Sequence, residues 1–158
     1  MIIGMKDARE SMPLHERIGH VIKRAEQALI STKDHALRAT GLTVPQYAAL
    51  LAIAEGRGLS AAETARRCMV TPQTMSITLR NLENKRLVVR SPSPDHAKVR
   101  VTKLSAAGRR LLSRADRFAS GVEGHLADGF SHAEREQLFG LLERAIDRLD
   151  EFRRTESP

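Results

Sequence analysis

TPQTMSITLRNLENKRLVVRSPSPDHAKVRVT, residues Thr71–Thr102, is the stretch whose reading decides the fold. Thr71 before Pro72 marks a helix start, because the hydroxyl can accept a first-turn N–H and proline suits the first turn. Met75, Leu79 and Leu82 then recur at i, i+4 and i+7 as one apolar stripe, while Gln73, Thr74, Ser76, Ile77, Arg80 and Asn81 point elsewhere. The helix is expected to reach about Lys85. Beyond it, Leu87-Val88-Val89 and Lys98–Thr102 flank the cluster Ser91-Pro92-Ser93-Pro94-Asp95. Two β-branched runs around a proline-rich turn predict a hairpin whose prolines stay off the sheet ladder.

Outward from that stretch, two more short helices announce themselves by their caps. Thr43 and Gln46, three apart, form a capping box with Pro45 in the first turn, and the helix is predicted to end near Glu55 at Gly56-Arg57-Gly58. Ser60 and Glu63 form another, with Leu59 as a hydrophobic staple, for a helix over 61–67. Three short helices followed by a basic hairpin are the order of a winged helix-turn-helix. The fold class expected is therefore mainly α with a small β-hairpin wing.

Longer helices flank this lobe. Leu14, Ile18, Val21, Ile22, Ala25 and Leu29 keep helical period from Pro13 to about Ala39, with Gly41 as the C-cap. Ser105 opens a helix over 106–127 with a stripe at Leu111, Ala115, Phe118, Val122 and Leu126. Ser131 and Glu134 open one over 132–153, striped by Leu138, Leu141, Leu142, Ala145, Ile146, Leu149 and Phe152. These stripes exceed what one small lobe buries. A second copy packed against them gives a two-fold dimer, with two recognition helices about one DNA turn apart, matched to a palindromic operator. The expected organisation is one domain over 1–158, with a DNA-binding lobe at 42–104 and dimerisation helices at 13–40 and 105–153.

The charge distribution agrees. The 158 residues hold 26 Lys+Arg and 19 Asp+Glu, a net +7. Between Arg57 and Arg110 there are twelve basic and three acidic residues, net +9, and the remainder is −2. Such a basic segment is the footprint of a polyanion partner, since each cation placed near a phosphate releases counterions. No Trp, one Tyr and four Phe argue against base-stacking platforms and so for duplex over single-strand binding. No stretch approaches the roughly 20 apolar residues of a membrane helix, and Lys6, Asp7, Arg9 and Glu10 stand where a signal peptide needs an apolar core, so the cytoplasm is expected. One cysteine excludes an internal disulfide and a multi-cysteine zinc site. The six histidines, His15, His20, His35, His96, His125 and His132, form no pair at metal-binding helical spacing. With no phosphate loop, nucleophile elbow or paired carboxylates, neither an enzyme nor a metal or other cofactor is expected.

The residues assigned to DNA follow from their chemistry. Gln73, Thr74 and Ser76 can hydrogen-bond base edges or phosphates, Ile77 can meet a thymine methyl, and Arg80 can reach a base or the backbone. Thr71 and the free amides of the first turn suit a phosphate. Lys98 and Arg100 on the hairpin suit phosphates or the minor groove. A ligand pocket is expected where the 13–39, 43–55 and 106–127 helices converge, with His15, Ile18 and Tyr47 able to orient a carboxylate or phenol; core or interface packing is the other reading of these three. Cys68, beside Arg66 and Arg67, reads either as a thiol-based redox sensor activated by those cations or as a small buried thiol.

Leu42-Thr43-x-x-Gln46-x-x-x-Leu50-Leu51, Leu59-Ser60-x-x-Glu63-x-Ala65, Thr71-Pro72-Gln73-Thr74-Met75-Ser76, Leu82-Glu83-x-Lys85-x-Leu87-Val88 and Leu104-Ser105-x-x-Gly108 together resemble the MarR family of bacterial regulators over roughly residues 14–150. The resemblance implies a homodimeric winged-helix repressor, dimerised through its first and last two helices, that releases DNA when a small phenolic or aromatic acid binds between the lobes. A constitutive architectural DNA-binding protein without effector is the alternative. The chain departs from the pattern at three places. Ile77 replaces a frequent arginine. Arg86 stands at the usual glycine before the first wing strand. Asp95-His96-Ala97 lacks the arginine of the Asp-x-Arg wing motif.

Overall fold

The computed structural model describes residues 12–92 and 100–156. The described elements are α1 (Ile18–Leu37), α2 (Val44–Glu55), β1 (Leu59–Ser60), α3 (Ala61–Arg67), α4 (Pro72–Asn84), β2 (Val88–Pro92), β3 (Arg100–Leu104), α5 (Ala106–Asp128) and α6 (His132–Thr155). They form two compact units that divide between Ala119 and Ser120. The first contains the winged helix-turn-helix together with α1 and the first part of α5, so it extends beyond the lobe expected at 42–104.

All three capping boxes form. Thr43 with Gln46, Ser60 with Glu63 and Ser131 with Glu134 each exchange both bonds between side chain and backbone. The Ser60 hydroxyl and amide hold the Glu63 carboxyl below the usual carboxylate range, and Ser131 does the same to Glu134. The first helix departs from expectation. Leu14–Glu16 is a single 3-10 turn, and Arg17, with φ −77° and ψ 116°, is extended and breaks the run before α1. Arg17 lacks a capping side chain and instead donates from Nε to the Met12 carbonyl at 3.0 Å. At the other end a 3-10 turn over Arg38–Thr40 closes on Gly41, whose φ of 68° is the expected left-handed cap.

The wing is a three-stranded antiparallel sheet in the order β1-β3-β2 rather than a bare hairpin. Leu59, the expected staple, pairs with Thr102, and Ser60 pairs with Val101. Pro92 joins the ladder opposite Arg100, against the expectation that the prolines stay off it. It can do so because β2 is an edge strand and Pro92 its last residue, where a missing N–H removes no interior bond.

The core of the first unit gathers Leu37, Leu42, Leu50, Ile53, Met75, Leu79, Leu82, Leu87, Val88, Leu104 and Leu112 around Ala115 and Ala119. The α4 stripe is thus seated as predicted. On α5 the inward face is Gly108, Leu112, Ala115 and Ala119, while Phe118 and Leu126 of the predicted stripe remain about half exposed. Ala115 belongs to both sets and Leu111 packs at the edge of the core; Phe118 is turned off this face, and Leu126 lies beyond Ala119, where the first unit ends. In the second unit α6 buries none of its residues; Phe139, Ile146, Leu149 and Phe152 are each more than half exposed.

α2, α3 and α4 end alike. In each, the second residue beyond the helix, Arg57, Met69 or Arg86, takes φ near 55°, and the next amide donates to the carbonyl five residues back: Gly58 to Ile53, Val70 to Ala65, Leu87 to Leu82. These are Schellman closures built on residues other than glycine. Arg86 therefore makes the left-handed cap itself. A left-handed non-glycine residue is strained by about 1–2 kcal/mol, part of which glycine returns as chain entropy. Arg86→Gly is expected to stabilise the fold by about 1 kcal/mol, read as a melting midpoint a few degrees higher at matched protein concentration. An unchanged or lower midpoint would show that the turn is not strained.

Candidate nucleic-acid interface

One helix, α4, and the β2–β3 strand pair position the expected DNA contacts within the described residues. Met75, Thr78, Leu79 and Leu82 anchor α4 in the core, and this leaves Thr71, Gln73, Thr74, Ser76, Ile77 and Arg80 exposed. Gln73, Ile77 and Arg80 recur at i, i+4 and i+7 and so form the centre of that face, with Thr74 and Ser76 on its flanks. Ile77 is 59% exposed, a bulky apolar group held out to solvent amid polar neighbours.

The start of α4 is more occupied than expected. Thr71 Oγ1 accepts the Thr74 amide at 3.2 Å, and the two hydroxyls bond each other at 2.9 Å. Pro72 carries no N–H. Only the Gln73 amide of this first turn is left to face an outside acceptor, so a single one of the free first-turn amides expected for a phosphate remains.

Of the wing residues, Arg100 is exposed, and its Nη2 donates to the Arg90 carbonyl at 3.2 Å, which lays the guanidinium along the strand pair. Lys98 lies outside the described residues, as do Asp95, His96 and Ala97. Not every cation of the basic segment is free for a polyanion. Lys85 Nζ donates to the Gly41 carbonyl at 3.0 Å and to Gln46 Oε1 at 3.1 Å, tying the end of α4 to the start of α2. Exposed Arg66 and Arg67 on α3 lie in the same lobe. They were legible as charge but not as site residues, since nothing local to them distinguishes a groove-facing arginine from a solvated one.

The three residues assigned to a ligand pocket have different environments. Tyr47 is buried and its hydroxyl donates to Asp116 Oδ1 at 2.7 Å. The His15 side chain is 81% exposed and Ile18 is 74% exposed, at the broken start of the first helix. With His15 and Ile18 open to solvent and Tyr47 buried, the three do not form one enclosed site within a single chain. Asp116, 69 residues from Tyr47, is the partner sequence reading missed. Cys68 is half-buried, and burial pushes its thiol up, opposite to the lowering expected from Arg66 and Arg67. That direction favours the small-thiol reading. Among the described residues no group of three or more His, Cys, Asp or Glu could hold a metal ion, and no helix is long and apolar enough to cross a membrane.

Comparison with known proteins places this geometry among others. The sequence profile of the MarR family matches residues 40–98. The chain is 30% identical over 127 residues to the HTH-type transcriptional repressor Rv2887 of Mycobacterium tuberculosis, covering 80% of this chain and 91% of that protein. The crystal structure of that protein in complex with p-aminosalicylic acid is similar with a TM-score of 0.64 at 29% identity, over 82% of this chain and 98% of the other. CouR of Rhodococcus jostii RHA1 bound to p-coumaroyl-CoA gives a TM-score of 0.76 at 25% identity, over 84% and 94% of the two chains. The repressor CouR bound to a 23-mer DNA duplex gives 0.75 at the same identity and coverage.

Proposed function

The chain belongs to the MarR family of transcriptional regulators, and from that premise we propose that it is a homodimeric repressor of a palindromic operator that answers to a small aromatic or phenolic acid. The observation that carries the DNA-binding part is the exposed face of α4. Ile77, Gln73 and Arg80 stand at its centre, with their helix locked to the core from behind. In this reading Gln73, Thr74, Ser76, Ile77 and Arg80 meet base edges. Thr71 positions the first turn on the backbone, and Lys98 and Arg100 bring the wing to phosphates or the minor groove. The lobe at 42–104 does the reading, and 13–40 with 105–153 holds two lobes at half-site spacing. The exposed apolar residues of α6 support the dimer, since a soluble protein rarely leaves such a stripe to water. The duplex-bound and aromatic-ligand structures of its relatives support the partner classes.

Titration of duplex DNA at two salt concentrations tests this. A dimer making roughly six to ten phosphate contacts loses about a thousandfold or more in affinity between low and moderate salt. A flat salt dependence would overturn DNA binding. A steep slope with little discrimination between sequences would select the architectural alternative. Arg80→Ala is expected to cost about 1–3 kcal/mol on the operator and to relax preference at one base pair, because Arg80 shares the central face with Gln73 and Ile77. Fluorescence anisotropy on single-base-pair operator variants reads this. An equal loss on every sequence would instead make Arg80 a backbone contact.

A further inference from the structure

The base of the wing holds a cavity of about 210 Å³, lined by Ile53 and Ala54 of α2, Arg57 and Gly58 of the following turn, Lys103 and Leu104 of β3, and Arg109 of α5. Its floor is aliphatic. Its rim carries three cations and no carboxylate. From this juxtaposition we infer a binding site for a small organic anion, one carboxylate on an apolar body no larger than a single ring, distinct from Tyr47.

The site is open to solvent, with Arg57, Lys103 and Arg109 all exposed, and local contacts place each of them. Arg109 Nη1 donates to the Leu104 carbonyl at 2.9 Å, which fixes the guanidinium and leaves its other N–H groups for a ligand. Lys103 lies across Gly58, whose φ is +111°; a Cβ there would stand 2.9 Å from Lys103 Cγ, so the missing side chain is what lets the lysine stem cover this wall. Arg57 is held in the left-handed turn that closes α2. Among the described residues none of the three cations has an ion-pair partner, and a single carboxylate meeting two of them gains charge-assisted hydrogen bonds against an apolar wall. The volume lies below the roughly 300 Å³ at which drug-sized sites begin, which limits the apolar body to about one ring. The Tyr47 hydroxyl, by contrast, already faces a carboxylate, that of Asp116, which repels an anion. Because Lys103 belongs to the wing and Arg109 to the first turn of α5, an anion bridging them couples the wing base to that helix. This regulatory role rests on the ligand-responsive reading above; the site itself does not.

Calorimetric titration of the full chain with benzoate, its neutral isostere benzamide and inorganic phosphate tests the site. Benzoate is expected to bind saturably, with benzamide and phosphate each about tenfold weaker or more, one lacking the charge and the other the apolar body. Arg109→Gln and Lys103→Met should each lower benzoate affinity about tenfold while melting like the parent, and Tyr47→Phe should leave it unchanged. The site is overturned by absence of saturable benzoate binding, by equal binding of benzamide or phosphate, or by loss in Tyr47→Phe with retention in Arg109→Gln. It is also overturned if, without added anion, the salt slope of DNA binding falls by about one per cation removed, which would make these residues phosphate contacts. Benzoate binding that needs Arg109 but leaves DNA affinity unchanged would support the site and count against ligand-responsive repression.

Discussion

Gly108→Ala is expected to destabilise the first unit by about 3 kcal/mol or more, enough to remove a large part of a typical domain's stability. A Cβ at residue 108 would sit 2.0 Å from the Leu87 carbonyl oxygen and 3.0 Å from its carbon. Both are backbone atoms, so no rotamer change relieves the clash. The same Leu87 carbonyl accepts the Ser105 amide at 3.0 Å, and Ser105 Oγ donates to the Arg86 carbonyl at 2.8 Å while accepting the Gly108 amide at 2.9 Å. Moving residue 108 outward therefore loosens the closure of α4 and the start of β2 together, and DNA affinity should fall with stability. Gly124→Ala on the same helix, where an added Cβ meets nothing within 4 Å of this chain, is the control and should be neutral or stabilising. Urea denaturation of both variants separates the cases. A Gly108→Ala midpoint equal to that of the parent would refute the close approach of α5 to the wing base.

The double substitution Leu142→Glu with Leu149→Glu is expected to yield a folded monomer whose operator affinity drops about a hundredfold or more, because the second half-site is no longer bound intramolecularly. Leu138, Leu142, Ala145, Leu149 and Phe152 alternate spacings of four and three, a heptad seam along α6. Leu142 is 39% and Leu149 63% exposed in the single chain, so charges there remove little packing within the protomer. Their cost falls on association. Sedimentation gives the mass, circular dichroism the helix content and anisotropy the operator affinity. A dimer that persists, or a monomer that binds as tightly as the parent, would overturn the assignment of α6 to dimerisation.

Much of the fold was legible because its signals are local. A capping serine or threonine and the residue three positions on lie within one turn, so Thr43, Ser60, Thr71 and Ser131 each place a helix start without knowledge of the rest of the chain. The 3.6-residue stripe on α4 likewise fixed which of its residues are held outward. The outward residues of α4 proposed to meet DNA followed from that stripe, Arg100 followed from the hairpin reading, and Lys98 lies outside the described residues.

What the sequence determined was therefore the order of elements, the apolar face of α4 and the concentration of positive charge between Arg57 and Arg110, all set by spacings of a few residues. Tertiary structure decided the rest. It bound Lys85 to Gly41 and Gln46, 44 and 39 residues away, and gave Tyr47 a carboxylate partner. It added Leu59-Ser60 to the sheet and brought Arg57, Lys103 and Arg109 around one cavity. These pairings depend on which side chains meet when helices and strands pack, and chain-distant contacts of that kind leave no periodic trace in a single sequence.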